Sequence, residues 1–134
     1  MTEQSEPGRR TLVLDVLPEE LAIVRLPPDE EIPRWLAGVF WSVSRTAKEL
    51  SLVVEESLVP PDLHFAGGWK AMRVEGKLDF SEVGILAFLS GTLAEADISL
   101  FALSTFDTDY ILVRHEDLER AGAALELAGA TVHR

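Results

Sequence analysis

The chain predicts an α+β fold, and three observations carry that reading. From Trp69 onward, apolar residues switch between periods of two and 3.6 in the order strand, helix, strand, strand, helix, strand. Two apolar stripes stand at helical spacing: Ile85, Leu86, Leu89, Leu93 and Ala96, then Leu118, Ala121, Gly122 and Leu125. The first half holds short alternating runs cut by prolines, with little helix. The second half is therefore a complete βαββαβ unit of ferredoxin-like order. The first half reads as a degenerate, mostly β counterpart.

Each element has a local reason. Residues 1–10 (MTEQSEPGRR) are polar and read as a frayed tail. Leu12, Leu14 and Val16 alternate with Thr11, Val13 and Asp15, which makes a strand with Asp15 as a surface carboxylate. Residues 17–20 (LPEE) turn the chain into LAIVRL at 21–26, so 11–26 is expected to form a hairpin. PPDEEIP at 27–33 is a loop whose Pro33 suits the start of a short helix at 34–38. Strands follow at 40–44 and 51–55, and the proline- and glycine-bearing stretch 56–68 reads as a linker. Then come a strand at 69–75, a helix at 82–96 capped by Ser81 and closed by Asp97, and strands at 98–103 and 110–114. The last elements are a helix led by Glu116 and Asp117, a stop at Gly129 and a short strand at 130–132. The domain boundaries implied are 11–65 and 66–134.

Bulk composition narrows the function classes. The 134 residues are 47% apolar, enough for a real core. There is no cysteine, which excludes disulfides, thiolate metal sites and cysteine nucleophiles. Twenty-three acidic against twelve basic side chains give a net charge of −11, which repels phosphate backbones and argues against a nucleic-acid partner. No apolar run reaches the ~18 residues of a membrane span, and no apolar core follows the polar start as in a signal peptide, so a cytoplasmic location is expected. His64, His115 and His133 have no second histidine at i+4, and no nucleophile elbow or phosphate-cradling loop occurs. Asp107 and Asp109 share a face if extended, but no pocket or nucleophile accompanies them. The reading is non-catalytic, with no metal and no cofactor.

The segment LDFSEVGILAFLSGTLAEADIS at 78–99 and the segment STFDTDYILV at 104–113 resemble the ACT domains, small ligand-binding regulatory modules. More closely, they resemble those of aspartate kinases, CASTOR-type arginine sensors and the short bacterial tandem-ACT proteins grouped with them. In the first half, LPPDEEIP and FWSVSRTAKELSLVVEES are similar to the same group. The resemblance implies tandem ACT-like units, an amino-acid ligand, a regulatory or sensor role delivered to a separate protein, and a homodimer paired through sheet edges. The aspartate kinases carry a catalytic domain in front of their ACT pair, and this sequence has none of that length. The alternative is an interaction protein that kept the fold and lost the ligand.

The resemblance places the ligand at the loop after the first strand of the second half. There the candidate residues are Asp79, Phe80, Ser81, Val83, Gly84 and Ile85. A helix start offers free N–H groups to an α-carboxylate, and Asp79 is a partner for the α-ammonium. Ser81 is equally an ordinary cap. Gly84 in a first helical turn costs about 0.8–1 kcal/mol against alanine, which close approach by a ligand or a backbone would justify. Thr105, Phe106, Asp107 and Thr108 form the second candidate wall. Asp and Thr are also residues that turn on their own backbone, and the two readings stand side by side. Trp35, Trp41 and Trp69 read as core or interface anchors.

Overall fold

A computed structural model describes residues 12–76 and 83–134. The described elements are strands β1 (Val13–Val16), β2 (Leu21–Leu26), β3 (Ser42–Arg45), β4 (Leu50–Glu55) and β5 (Phe65–Val74), helix α1 (Ile85–Glu95), strands β6 (Phe101–Ser104) and β7 (Asp109–Arg114), helix α2 (Leu118–Leu127) and strand β8 (Thr131–His133). The chain divides into two compact units. One is Pro18–Trp69, and the other joins the segment ending at Leu17 to Lys70–Arg134. This division differs from the sequence boundaries of 11–65 and 66–134, because β1 belongs with the second half.

The expected hairpin over 11–26 does not form. β1 pairs antiparallel with the Met72–Val74 end of β5 and parallel with β8, while β2 pairs with β4 and with the Phe65–Trp69 end of β5. The reason is in the turn. LPEE lacks the glycine-bearing pair that bends two strands back on each other. Leu17 N–H instead donates to Ala71 O at 2.9 Å, continuing along β5.

In the larger unit the strand order is β6-β7-β5-β1-β8. β1 thus sits between β5 and β8. Its Leu14 is fully buried, and with Leu12 it joins the core formed by Met72, Val74, Ile85, Leu89, Leu93, Ile111, Val113, Ala121, Leu125 and Val132. Both helices lay their stripes on this core, although Leu86 is exposed and Ile85, Leu89 and Leu93 alone in α1 are buried. They end alike. Asp97 at φ 62° and Gly129 at φ 110° take left-handed positions. Ile98 N–H donates back to Leu93 O, and Ala130 N–H to Leu125 O, at 2.9 Å each. This is the two-bond helix stop in which the next apolar residue also returns to the core. In β6, which begins at Phe101 rather than at residue 98, Phe101 and Leu103 are half-buried and Ala102 is exposed. Ile98 is buried just ahead of the strand, and the two residues 99–100 shift the alternation.

In the smaller unit the order is β3-β4-β2-β5. Ala22, Val24, Leu26, Leu36, Leu50, Leu52, Val54 and Val59 form its core. The helix expected at 34–38 is a single turn closed by Leu36 N–H on Pro33 O at 3.2 Å. Five residues are too few to propagate a helix, and Val39 N–H is taken by the Glu55 carboxylate at 2.7 Å. The stretch 56–68 is less of a linker than its composition suggests. β5 begins within it at Phe65, and Gly67-Gly68 lies where the β2–β5 register shifts.

The position of β1 makes residues 66–134 an incomplete unit. That fragment expressed alone exposes the β1-facing edges of β5 and β8 and lacks Leu12 and Leu14. It is expected to aggregate or remain unfolded by size exclusion and circular dichroism. Leu14→Ala in the whole chain is expected to cost about 2–5 kcal/mol in chemical denaturation. A monomeric 66–134 fragment as stable as the parent would refute this role for β1.

Candidate functional site

The candidate loop lies between the exit of β5 and the start of α1. Asp79, Phe80 and Ser81 fall outside the described residues. On the near side, β5 ends at Val74, and Glu75 N–H donates to Val13 O at 2.8 Å. On the far side, Val83 is 70% exposed. Gly84 holds the N-cap position at φ 91°, ψ −12°, with no side-chain cap hydrogen bond. The helix therefore starts at Ile85, three residues later than expected. That φ is costly for any residue with a Cβ, so backbone geometry by itself accounts for this glycine. Phe88 N–H closes the first helical bond on Gly84 O at 2.8 Å. The N–H groups of Ile85, Leu86 and Ala87 precede that first bond, so the helix itself gives them no acceptor. The Ile85 side chain faces the core and is buried, which leaves its backbone for contact.

The second wall is the β6–β7 hairpin. Ser104 pairs with Asp109 across the ladder, and Ser104 Oγ donates to Asp109 Oδ1 at 2.6 Å. Thr105 N–H and Thr105 Oγ1 both donate to Thr108 O, at 2.9 and 3.3 Å. The tip is Phe106-Asp107, with Phe106 79% exposed. Thr108 is buried, and its Oγ1 donates to Val74 O at 2.7 Å. That bond fixes the hairpin beside the β5 exit, within one unit. It also employs much of the hydroxyl and carboxylate chemistry of residues 104–109 in the turn itself.

One grouping escaped the sequence reading. Asp15 is not a plain surface carboxylate: Arg73 Nη2 donates to its Oδ2 at 3.1 Å, and His133 Nδ1 lies 3.1 Å from its Oδ1. Glu75 completes a cluster in which the ligand atoms of Asp15, Glu75 and His133 lie within 4.8 Å of one another. The ladder register creates it, aligning Asp15 with Arg73 on one side and with His133 on the other. These residues stand 58 and 118 positions apart along the chain, so no local spacing signals the contact. Of the three tryptophans, Trp69 is buried, Trp35 packs on the smaller unit's core, and Trp41 is 46% exposed.

A family model described as an ACT domain matches residues 65–126, and a second, described as an N-terminal domain, matches residues 19–62. Residues 65–126 are an ACT domain. Human "Cytosolic arginine sensor for mTORC1 subunit 1" is 30% identical over 135 residues, covering 90% of this chain and 38% of the sensor. This ACT-domain chain thus spans well under half the length of the curated relatives it matches. A crystal structure of a protein from Agobacterium tumefaciens superposes with a TM-score of 0.86 at 35% identity, covering 92% of this chain and 97% of that one. Aspartokinase III of E. coli shares the fold, with a TM-score of 0.60 at 14% identity over 94% of this chain and 34% of the kinase. Among the described residues of this ACT-domain protein, no helix is long and apolar enough to cross a membrane.

Three substitutions separate structural residues from a surface one. Thr108→Val leaves the Val74 carbonyl without its donor and is expected to cost about 1–3 kcal/mol. Gly84→Ala is expected to cost about 1–2 kcal/mol through its left-handed φ. Asp107→Asn at the exposed tip should stay within about 0.5 kcal/mol. Urea denaturation of the three variants measures all of this, and a neutral Thr108→Val would contradict the anchoring bond.

Proposed function

We propose that the protein is a non-catalytic regulatory or sensor module that binds a small amino acid in its larger unit, between the start of α1 and the β6–β7 hairpin. The observation that carries this reading is the helix start at Gly84, which has no side-chain cap and stands in the family's ligand loop. Its N–H groups suit an α-carboxylate, reinforced by the partial positive charge of the helix end. Asp79 takes the α-ammonium, with Asp107 as the other carboxylate in reach of the loop. Phe80, Ser81, Val83, Thr105, Phe106 and Thr108 complete the proposed walls. The relative named as an arginine sensor supports an amino acid as the ligand class and puts arginine first among those to be tried.

The wider assignment follows from the same reading. The protein acts in the cytoplasm and transmits its ligand state to another protein. It pairs with a second copy through a sheet edge, for which β6, at the end of its unit's strand order, is the natural candidate. A second reading, an interaction protein with the fold but no ligand, is favoured by one observation: Ser104, Thr105, Thr108 and Asp109 already satisfy one another or Val74.

Thermal shift against the twenty amino acids tests the proposal. A ligand at a hundred times its dissociation constant adds about 2.7 kcal/mol, which raises the midpoint by several degrees. Calorimetry of the best ligand should then show Asp79→Ala binding about ten- to a hundredfold more weakly, the cost of an unpaired charged group. Asp29→Ala, on an exposed loop, serves as the control, since Asp15 is engaged by Arg73 and His133. Stabilisation by none of the twenty would favour the interaction-protein reading, and equal affinity in Asp79→Ala would remove that residue from the site.

A further inference from the structure

The smaller unit contains a cavity that the proposed amino-acid site does not use. Its volume is about 560 Å³, within the range of small-molecule sites. The walls come from the loop after β2 and from the stretch ahead of β5. Leu26, Ile32, Trp35 and Leu63 supply apolar surface, and Glu30, Glu31 and Asp62 supply carboxylates against a single cation, Arg34.

Three features make this a formed pocket rather than a gap between loops. Turns close on each wall: Glu30 N–H on Pro27 O, Leu36 N–H on Pro33 O and Leu63 N–H on Pro60 O, at 3.1–3.2 Å. Each turn begins at a proline, whose fixed φ limits the conformations the wall can lose. Arg45 then holds the rim. Its guanidinium donates to Pro28 O and, at 2.9 Å, to Glu30 O. Finally, among the described residues no hydrogen bond or ion pair engages the side chains of Glu30, Glu31, Arg34 or Asp62. Three carboxylates stand around the cavity against the guanidiniums of Arg34 in its lining and Arg45 at its rim, which leaves one negative charge in excess.

We propose that this cavity binds a small organic cation, an alkyl chain bearing a guanidinium or ammonium group. The carboxylates of Glu30, Glu31 and Asp62 take the charged head. The Trp35 ring attracts a cation over its face, and Leu26, Ile32 and Leu63 cover the alkyl stem. Anionic ligands are rejected by the same charge. The net charge of −11 raises the local concentration of cations, and binding weakens with salt because the carboxylates are exposed.

Agmatine is the probe, because it carries both cationic groups and lacks the α-carboxylate that the α1 start requires. The readout is the indole N–H resonance of Trp35, identified by its loss in Trp35→Phe. The expected result is a saturable shift on agmatine titration of the whole protein, with a dissociation constant at or below about 1 mM. Glu31→Gln/Asp62→Asn should weaken it at least about fivefold, as should raising the salt. Glu95→Gln/Glu116→Gln, which removes the same charge from exposed positions of the larger unit, should leave it unchanged. So should Asp79→Ala, which separates this site from the amino-acid site. No saturable shift, equal affinity in Glu31→Gln/Asp62→Asn, or an equal response to the dianion glutarate would overturn the proposal.

Discussion

Four residues near the start of the chain, β1 at Val13–Val16, hold the larger unit together by pairing on both edges. Backbone bonds from Leu17 to Ala71 and from Glu75 to Val13 tie it to β5, and the bond from Thr131 to Leu12 ties it to β8. A backbone group buried without a partner is costly, so neither β5 nor β8 is complete without this strand. The core is no more complete, since Leu12 and Leu14 fill it from the same segment. The consequence reaches the candidate site. β1 runs beside the last residues of β5, the exit ahead of the candidate loop, and Thr108 secures the hairpin to the carbonyl of Val74 at that exit. A strand from the first half of the sequence thereby sets the frame for the candidate site in the second.

The two walls of the candidate site do different work. In the hairpin, hydroxyls and carboxylates are largely engaged with neighbouring backbone and with each other, which gives a rigid, polar edge with an exposed phenyl ring at its tip. At the helix start the available groups are backbone amides, held in place by a glycine whose φ few other residues tolerate. Such a pairing of stiff wall and open amide cluster suits recognition of a carboxylate. At Asp15 an ion pair with Arg73 and a hydrogen bond with His133 join three strands.

Much of this was legible in the sequence. Helical stripes of apolar residues located α1 and α2, and the turn chemistry at Asp97 and Gly129 located their ends, because those signals are local. The βαββαβ order followed from periodicity alone. What escaped was set by pairing at long range. The segment LPEE looks like a turn between two strands, yet both flanking strands find their partner in β5, more than forty residues on. Asp15 looks like an outward-facing carboxylate until the register places Arg73 and His133 on either side of it. Gly84 invited a ligand-contact explanation that a left-handed φ makes unnecessary. The candidate residues Val83, Gly84 and Ile85 illustrate the limit of motif reasoning: they are adjacent in sequence, but one is exposed, one is a cap and one is core.

Amide hydrogen exchange on the intact protein, with and without the amino acid that most raises its melting temperature, tests the central claim most directly. The account predicts slower exchange at Ile85, Leu86 and Ala87, whose N–H groups the helix itself leaves free, together with the hairpin amides of Thr105–Thr108. Unchanged exchange at both segments while the ligand protects amides elsewhere in the chain would contradict it.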